Sequence, residues 1–178
     1  DNQSGLVSAY SKNETLNRLA SQLNFRYNAI FNTAIRFHRN EIYDYLADNY
    51  YNNFLNDVLE TNLGNMLIEN FNTSIAFYNL DIFFRLLPIV TEKGFINSHD
   101  SDSETPLHVA AISGRFDIVK ILCSIQGIDI NSHAKHLETP LQWAISSGHI
   151  EIVKYLLGFE GIDHVAENDI GICNSFLF

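Results

Sequence analysis

The segment ETPLHVAAISGRFDIVKILCSIQGID, residues 104–129, decides the fold, because it returns 34 positions later as ETPLQWAISSGHIEIVKYLLGFEGID, residues 138–163. When residues 97–129 are aligned with residues 131–163, 17 of 33 positions are identical. Self-similarity at a fixed period of roughly 20 to 50 residues is typical of repeat architectures, in which each repeat is one supersecondary unit. The second half of the chain is therefore predicted to be a stack of equivalent units.

Each unit is predicted to form two helices joined by a tight turn. Thr105 precedes Pro106, whose fixed φ suits the first helical position, so Thr105 is the expected N-cap of a short helix that ends at about Ile112. Gly114 supplies the turn, and apolar residues at helical spacing then form a second helix that Gly127 closes. Because one hairpin buries only one face, neighbouring hairpins must stack on each other.

These repeats carry a family resemblance. TPLHVAA from Thr105, TPLQWAI from Thr139 and GHIEIVKYLL from Gly148 resemble the ankyrin repeat, whose hallmark is TPLHxA on a period of about 33 residues. The resemblance implies an all-α, ankyrin-type solenoid of stacked helical hairpins with short extended turns. It implies two ankyrin repeats over 97–165 and a truncated or capping repeat over 166–178.

The first half of the chain contains fainter copies of the same hairpin. FNTAIRFHRNEIYDYL from Phe31 matches FNTSIAFYNLDIFFRL from Phe71 at seven of sixteen positions. Residues 31–96 are therefore predicted to form degenerate ankyrin-like helical hairpins, preceded by an N-terminal helical cap over 1–30. The longer spacing leaves room for an extra helix around 54–63, and the missing mid-hairpin glycine leaves the turn geometry open.

Aromatic residues recur at equivalent places in these hairpins. We interpret them as core packing between hairpins, with a second interface as the alternative. The residues concerned are Phe31, Phe37, Tyr43, Phe71, Phe77, Phe83 and Trp143.

The composition favours a folded chain and argues against nucleic acid as a partner. Hydrophobic residues make up 46% of the chain and charged residues 18%, unlike the composition of disordered chains. The formal net charge is −10, and a surface of that sign repels the phosphate backbone. The chain has no run of about 18 apolar residues, so we expect no membrane partner. Its two cysteines fit a reducing compartment, and we expect an intracellular, cytoplasmic protein.

The sequence contains no candidate catalytic residue and no metal-binding motif. The seven histidines form no H-x-x-x-H or H-E-x-x-H pattern, and the chain lacks GxSxG, P-loop and GxGxxG motifs. Cys123 occupies the position of Leu157 in the next repeat, so it is interpreted as a small core residue. The resemblance implies that His108 closes a hydrogen-bond network between adjacent turns. We therefore expect no enzyme activity, no cofactor and no metal.

The resemblance implies a partner-binding surface, since ankyrin arrays bind proteins through turn tips and the exposed face of the first helices. Transferred by position, the contact residues are Ser101, Asp102, Glu104, Ile112 and Ser113 in one repeat, and Lys135, His136, Glu138, Ser146 and Ser147 in the next. Asp102 and Glu104 alternate with Asp100 along one turn, and Glu138 recurs one repeat later. These carboxylates are expected to be exposed along one edge, which favours a protein partner with a basic contact surface.

We interpret the chain as a protein–protein interaction module of the scaffold or adaptor type. Two alternatives stay open at the level of sequence. One is a non-catalytic targeting region of a larger enzyme or pathogen effector, and the other is a structural subunit of a larger assembly. The full reading frame would identify the first, and poor solubility of the isolated chain would indicate the second.

Overall fold

The computed structural model describes residues 28–48 and 60–163. Within them the chain forms eight helices and no strand, which confirms the predicted all-α solenoid of stacked hairpins. The four hairpins pair α1 (28–36) with α2 (Asn40–Leu46), α3 (Glu60–Ala76) with α4 (Leu80–Glu92), α5 (Pro106–Ile112) with α6 (Phe116–Cys123), and α7 (Pro140–Ser146) with α8 (Ile150–Leu156). We number them hairpins 1 to 4 and call α1, α3, α5 and α7 the first helices. Most of the predicted cap over 1–30 and all of 166–178 lie outside the described residues.

The turn inside each hairpin has the same backbone geometry in all four copies. Gly114 and Gly148 have φ values of 68° and 75°, and His38 and Tyr78 have φ values of 53° and 56° at the equivalent positions. In each turn the residue that follows the one with positive φ donates its backbone N–H to the carbonyl five residues before it, at 2.8 to 3.0 Å, as in a Schellman motif. The sequence leaves the turn geometry of the first half open, and the structure shows that these turns have the same geometry as those of the second half.

One hydrophobic core runs through the four hairpins. The first helices pack side by side, α3 on α5 and α5 on α7, and α6 packs on α8 among the second helices. Phe71 and Phe83 are fully buried and their rings stack with centroids 5.2 Å apart. The buried side chains form a single cluster from Phe31 to Ile162. The hairpins therefore share one core.

Hydrogen bonds attach hairpin 1 to hairpin 2. Nδ2 of the buried Asn79 donates to the Ile35 carbonyl at 3.1 Å and to Oδ1 of Asn40 at 2.8 Å. Arg85 of α4 forms an ion pair with Asp44 of α2. The degenerate first half thus stacks continuously on the ankyrin-like second half.

One expectation about the first half needs correction and another stays a prediction. Residues 60–63 belong to the 17-residue helix α3, and 54–59 lie outside the described residues, so the extra helix around 54–63 is not tested. The interpretation as core is wrong for Phe37 and Phe77, which are 63% and 38% exposed. Both follow the last residue of a first helix, where the chain has already turned away from the core.

Candidate functional site

Two short loops connect the last three hairpins, and we call them finger 1 (residues 98–104) and finger 2 (residues 132–138). The tip of finger 1 is closed by two backbone bonds, from Asp100 N to the Glu104 carbonyl at 3.0 Å and from Ser103 N to the Asp100 carbonyl at 3.1 Å. Equivalent bonds close finger 2. The repeated sequence therefore produces two tips of the same shape.

A buried histidine joins the base of finger 1 to the base of finger 2. The N–H of Thr105 donates to Nδ1 of His108 at 3.3 Å, and Nε2 of His108 lies 3.0 Å from the Glu138 carbonyl. Because a backbone N–H only donates and a carbonyl only accepts, the ring proton is on Nε2. Burial lowers the pKa of His108 to about 4, which keeps the ring neutral. The network implied for His108 is therefore present.

The neighbouring repeats use other polar side chains at the position of His108. In hairpin 4, Oε1 of Gln142 accepts the N–H of Thr139 at 2.8 Å, and Oγ1 of Thr139 accepts the N–H of Gln142 at 3.3 Å. In hairpin 2, Nδ2 of Asn72 donates to the Glu104 carbonyl at 3.2 Å. Asn72 and His108 thus each link a first helix to the base of the next finger.

Side chains at the start of each finger also bridge to the loop of the next repeat. Nδ2 of Asn97 donates to the Gly127 carbonyl at 2.8 Å, and its Oδ1 accepts the N–H of Asp129 at 2.9 Å. Asn131 makes the same pair of bonds one repeat later. Nε2 of His99 donates to a backbone carbonyl of finger 2 at 3.0 Å. The bonds of Asn97 and His99 hold the two fingers side by side along one edge of the stack, and those of Asn131 attach the start of finger 2 to the loop after α8.

Four carboxylates gather around finger 1. Glu69 of α3 joins Asp100, Asp102 and Glu104, and its Oε1 accepts the N–H of Ser101 at 2.8 Å. Oδ1 of Asp100 accepts the N–H groups of Asp102 at 3.0 Å and Glu104 at 2.9 Å. Burial, and then the charges of the other three carboxylates, raise the pKa of Glu104 to about 7. Finger 1 is therefore a concentrated negative region that a cation would stabilise.

The family follows from a comparison with known protein families. A model of three ankyrin repeats matches residues 72–168, which are 97 of the 178 residues in the chain. The chain belongs to the ankyrin-repeat family. The match begins within α3, so it includes residues of hairpin 2 as well as the two clear repeats. No match was found among curated proteins. Ankyrin repeats are generally non-catalytic protein–protein interaction modules.

The predicted contact residues of this ankyrin array fall into two groups. The fingers carry exposed Ser101, Asp102, Lys135 and His136 and half-buried Glu104 and Glu138. The ends of α5 and α7 carry exposed Ile112, Ser146 and Ser147 and half-buried Ser113. Because a seven-residue helix is about 10 Å long, the structure separates the two groups by roughly one helix length.

The expectation of a fully exposed carboxylate edge is wrong for two residues of the ankyrin array. Oε2 of Glu138 accepts the indole N–H of Trp143 at 3.1 Å, so this carboxylate is held against α7. Glu104 is half-buried among the other carboxylates. Asp102 is exposed, as expected. Changes at Glu104 or Glu138 therefore affect folding as well as charge.

Two residues at the fingers of this ankyrin array, Glu69 of α3 beside finger 1 and Leu137 of finger 2, are not among the contact residues predicted from sequence. Glu69 takes the position of Thr105 and Thr139 when the hairpins are aligned, so the repeat alignment contains the signal that places it at the base of finger 1. Leu137 is 48% exposed at the tip of finger 2 with φ of 59°. No sequence pattern marks Leu137, because a leucine in a loop is ordinarily assigned to the core.

The described part of the array has neither a metal-binding cluster nor a membrane-spanning helix. Among residues 28–48 and 60–163, no group of three or more His, Cys, Asp or Glu side chains is arranged to hold a metal ion. No helix of these two stretches is long and apolar enough to span a bilayer. Burial raises the pKa of the Cys123 thiol to about 11, so the thiol keeps its proton at neutral pH. This agrees with the interpretation of Cys123 as a packing residue.

Glu104→Gln is expected to raise the free energy of unfolding at about pH 8 by about 1–2 kcal/mol, after allowance for solvent screening at a half-buried group. The folded chain keeps a proton on Glu104 up to about pH 7, whereas the unfolded chain releases it near its ordinary pKa of 4.5. The folded state thus holds more protons between these values, so the contribution of Glu104 to stability falls as pH rises through this window. Denaturant titrations at about pH 4 and pH 8 measure the effect.

The two proteins should be equally stable at about pH 4, where Glu104 is protonated in both states. Because the pKa of His108 is lowered, the contribution of His108 to stability falls as pH drops below 6.5, which is the opposite of the behaviour of Glu104. His108 is present in both proteins, so its contribution cancels when the two are compared. Glu151→Gln, at an exposed position of α8 and outside finger 1, is the matched control and should change stability little at either pH. An equal gain from Glu104→Gln at both pH values would contradict the prediction.

Proposed function

We propose that this ankyrin array binds a protein partner with a basic contact surface through fingers 1 and 2 and the exposed ends of α5 and α7. The carboxylates around finger 1 support the proposal most directly. Burial raises the pKa of Glu104 most, and repulsion from the other carboxylates adds to it; a lysine or arginine of the partner placed among Glu69, Asp102 and Glu104 would offset that repulsion. Binding would then release a proton near neutral pH.

Exposed apolar side chains lie in both parts of the proposed contact surface and would add contact area. Leu137 lies at the tip of finger 2, and Ile112 lies at the end of α5, 44% exposed. Buried apolar anchors surrounded by polar contacts are common in protein interfaces. Lys135 has the opposite charge, so the partner would present a neutral or acidic group there. An intracellular, cytoplasmic setting is part of the proposal and is supported by the low cysteine content.

Asp102→Lys is expected to slow association with the partner by about 3- to 10-fold at low salt and to change dissociation little, because an exposed charge at the rim of an interface acts mainly on the encounter rate. The partner would first be captured with the whole chain as bait and identified by mass spectrometry. Surface plasmon resonance at two salt concentrations then gives the association and dissociation rates.

Glu151→Lys is the matched control, since it makes the same charge reversal at an exposed position of α8. Association with this variant should stay within about twofold of the original rate, because Glu151 lies on a second helix and not on the fingers. Equal slowing by both variants would mean that only total charge matters. Association that ignored both Asp102→Lys and added salt would exclude finger 1 as the contact.

A further inference from the structure

The turns inside hairpins 1 and 2 expose aromatic rings at positions where hairpins 3 and 4 have small residues. Phe37 is 63% exposed, and Phe77 and Tyr78 are each 38% exposed. Serine and glycine make the same turn at 113–114 and 147–148, so the turn itself does not require these rings. Because aromatic side chains are enriched in protein interfaces, exposed rings at two neighbouring turns indicate a contact surface.

The same two turns hold backbone strain that glycine would remove. His38 and Tyr78 have φ values of 53° and 56°, in the left-handed region that glycine enters without steric cost. A bulky residue such as tyrosine is rarely found there. Residues in strained conformations cluster at binding and catalytic sites. Their presence here, where serine and glycine would suffice, favours a binding role for the side chains of these turns.

The exposed rings are held in place by neighbouring polar side chains. Cζ of Arg36 lies 4.6 Å from the centroid of the Phe77 ring, and Cζ of Arg115 lies 4.7 Å from that of the Tyr78 ring. Nε2 of His38 donates to the Phe77 carbonyl at 3.2 Å, which ties the two turns together. A surface that is ordered before a partner arrives loses less conformational entropy on binding.

Two guanidinium groups at these turns are available to an anion. Arg39 takes the position of Arg115, which donates to a backbone carbonyl of the preceding hairpin at 3.2 Å, and of His149, which donates to the carbonyl of residue 112 at 3.0 Å. Arg39 is exposed instead, and so is Arg36. Within 28–48 and 60–163, neither of these two side chains has a hydrogen bond or an ion pair. Guanidinium groups pair with carboxylates through two parallel hydrogen bonds, so the two arginines favour an acidic group.

The surroundings of the arginines suit an acidic segment that also carries apolar side chains. Phe37 and Arg39 line the same apolar groove, which has a volume of about 510 Å³. Glu41 and Asp81 lie in the first turns of α2 and α4, and Nδ2 of Asn40 donates to Asp81 at 2.8 Å. These two carboxylates would repel a continuous row of phosphates, as would the net charge of −10. A single carboxylate flanked by apolar groups fits better than a nucleic acid.

We propose that the turns of hairpins 1 and 2 bind an acidic, partly apolar segment of a protein partner. We call this surface the aromatic edge, and it consists of Arg36, Phe37, His38, Arg39, Phe77 and Tyr78. A carboxylate of the segment pairs with Arg36 or Arg39, and an adjacent apolar side chain packs on Phe37 and in the groove. The aromatic edge lies at the opposite end of the first helices from the fingers. It is therefore a second contact surface, with the opposite charge preference, and does not depend on the function proposed for the fingers.

Selection of random peptides displayed on phage, with the whole chain as bait, tests the aromatic edge. The selected peptides should include a group that combines Asp or Glu with a neighbouring Phe, Trp or Leu. Peptides of this group, synthesised with a fluorescent label, give the Kd by anisotropy. Arg36→Glu should raise this Kd about tenfold or more, because repulsion replaces a charge-assisted hydrogen bond. Lys154→Glu is the matched control, a charge reversal at an exposed position of α8 that should change the Kd less than about twofold.

Phe37→Ser supplies a second test that leaves the charges unchanged. It should raise the Kd of the same peptides about 3- to 10-fold through lost apolar contact. Ile150→Ser is its matched control, since Ile150 is 65% exposed on α8, at the other end of the array. Circular dichroism of each variant should match that of the parent chain. Asp102→Lys in finger 1 should leave the Kd unchanged, so a failure of the aromatic edge can be told from a failure of the fingers.

Several outcomes would overturn the assignment of the aromatic edge to an acidic segment. One is a selection without acidic peptides, and another is a Kd that ignores both Arg36→Glu and Phe37→Ser. Tighter binding of a single-stranded oligonucleotide, lost in Arg36→Glu, would assign the edge to nucleic acid. Self-association in sedimentation that Arg36→Glu and Asp102→Lys each abolish would assign it to finger 1 of a second copy.

Discussion

Replacing His108 by leucine is expected to lower the free energy of unfolding by about 2–4 kcal/mol, because each buried polar group left without a partner costs about 1–3 kcal/mol. Leucine fills a similar volume but leaves the Thr105 N–H without a partner. It also removes one of the two bonds of the Glu138 carbonyl, which keeps the bond from the Ala134 N–H. His108 is fully buried, so water cannot replace these bonds in the folded chain. Equilibrium unfolding in denaturant measures the loss.

His108→Gln is the matched control, because Gln142 already occupies the equivalent position one repeat later. Oε1 of Gln142 accepts the N–H of Thr139 at 2.8 Å, so glutamine can supply the bond to the N-cap. We expect His108→Gln to recover more than half of the stability that His108→Leu loses. If the two variants were equally stable, the hydrogen bonds of His108 would not account for its effect.

Gly114→Ala is expected to lower the free energy of unfolding by about 2–4 kcal/mol, and Gly148→Ala by about 1 kcal/mol. Both glycines have positive φ, so both variants are strained in the backbone. A Cβ at residue 114 would also lie 2.6 Å from Cε1 of His149, whereas a Cβ at residue 148 meets nothing within 4 Å. The ring of His149 must move, and its bond to the carbonyl of residue 112 is then lost.

A His149→Ala background tests the cause of this difference. Without the imidazole, Gly114→Ala and Gly148→Ala should cost about the same, because only backbone strain is left. Thermal and denaturant unfolding of the four variants and their parents give the comparison. A larger cost for Gly114→Ala in the His149→Ala background would show that the ring is not responsible.

The positions of the helices follow from local sequence signals in the second half of the chain. Thr105 and Pro106 predict the start of α5, and the structure has Pro106–Ile112 with Thr105 as N-cap. The turns of the first half do not follow from local signals. His38 and Tyr78 take positive φ although neither is glycine, and contacts from other elements accompany this conformation. The Tyr78 hydroxyl donates to Asp117 at 2.7 Å, and such a contact across 39 residues has no local pattern.

The surface residues are predicted less completely than the fold. Repeat position places Asp102 and Glu104 in one finger, and they are chemically similar residues two positions apart. They differ in burial, since Asp102 is exposed and Glu104 is half-buried. Burial is the first cause of the raised pKa of Glu104, followed by the charges of Asp100 and Asp102 and then that of Glu69. Burial and the charge of Glu69, which lies on α3, come from the tertiary structure, so a pattern along a single finger does not contain them.

The bridges made by Asn97 and Asn131 imply a particular mechanical behaviour. Each bridge joins one repeat only to the next, at matching atoms and distances. In a linear array of this kind, stability is approximately a sum of terms for single repeats and for adjacent pairs. Tension applied along the array should therefore detach hairpins one after another from an end, giving a sawtooth of separate force peaks rather than a single rupture.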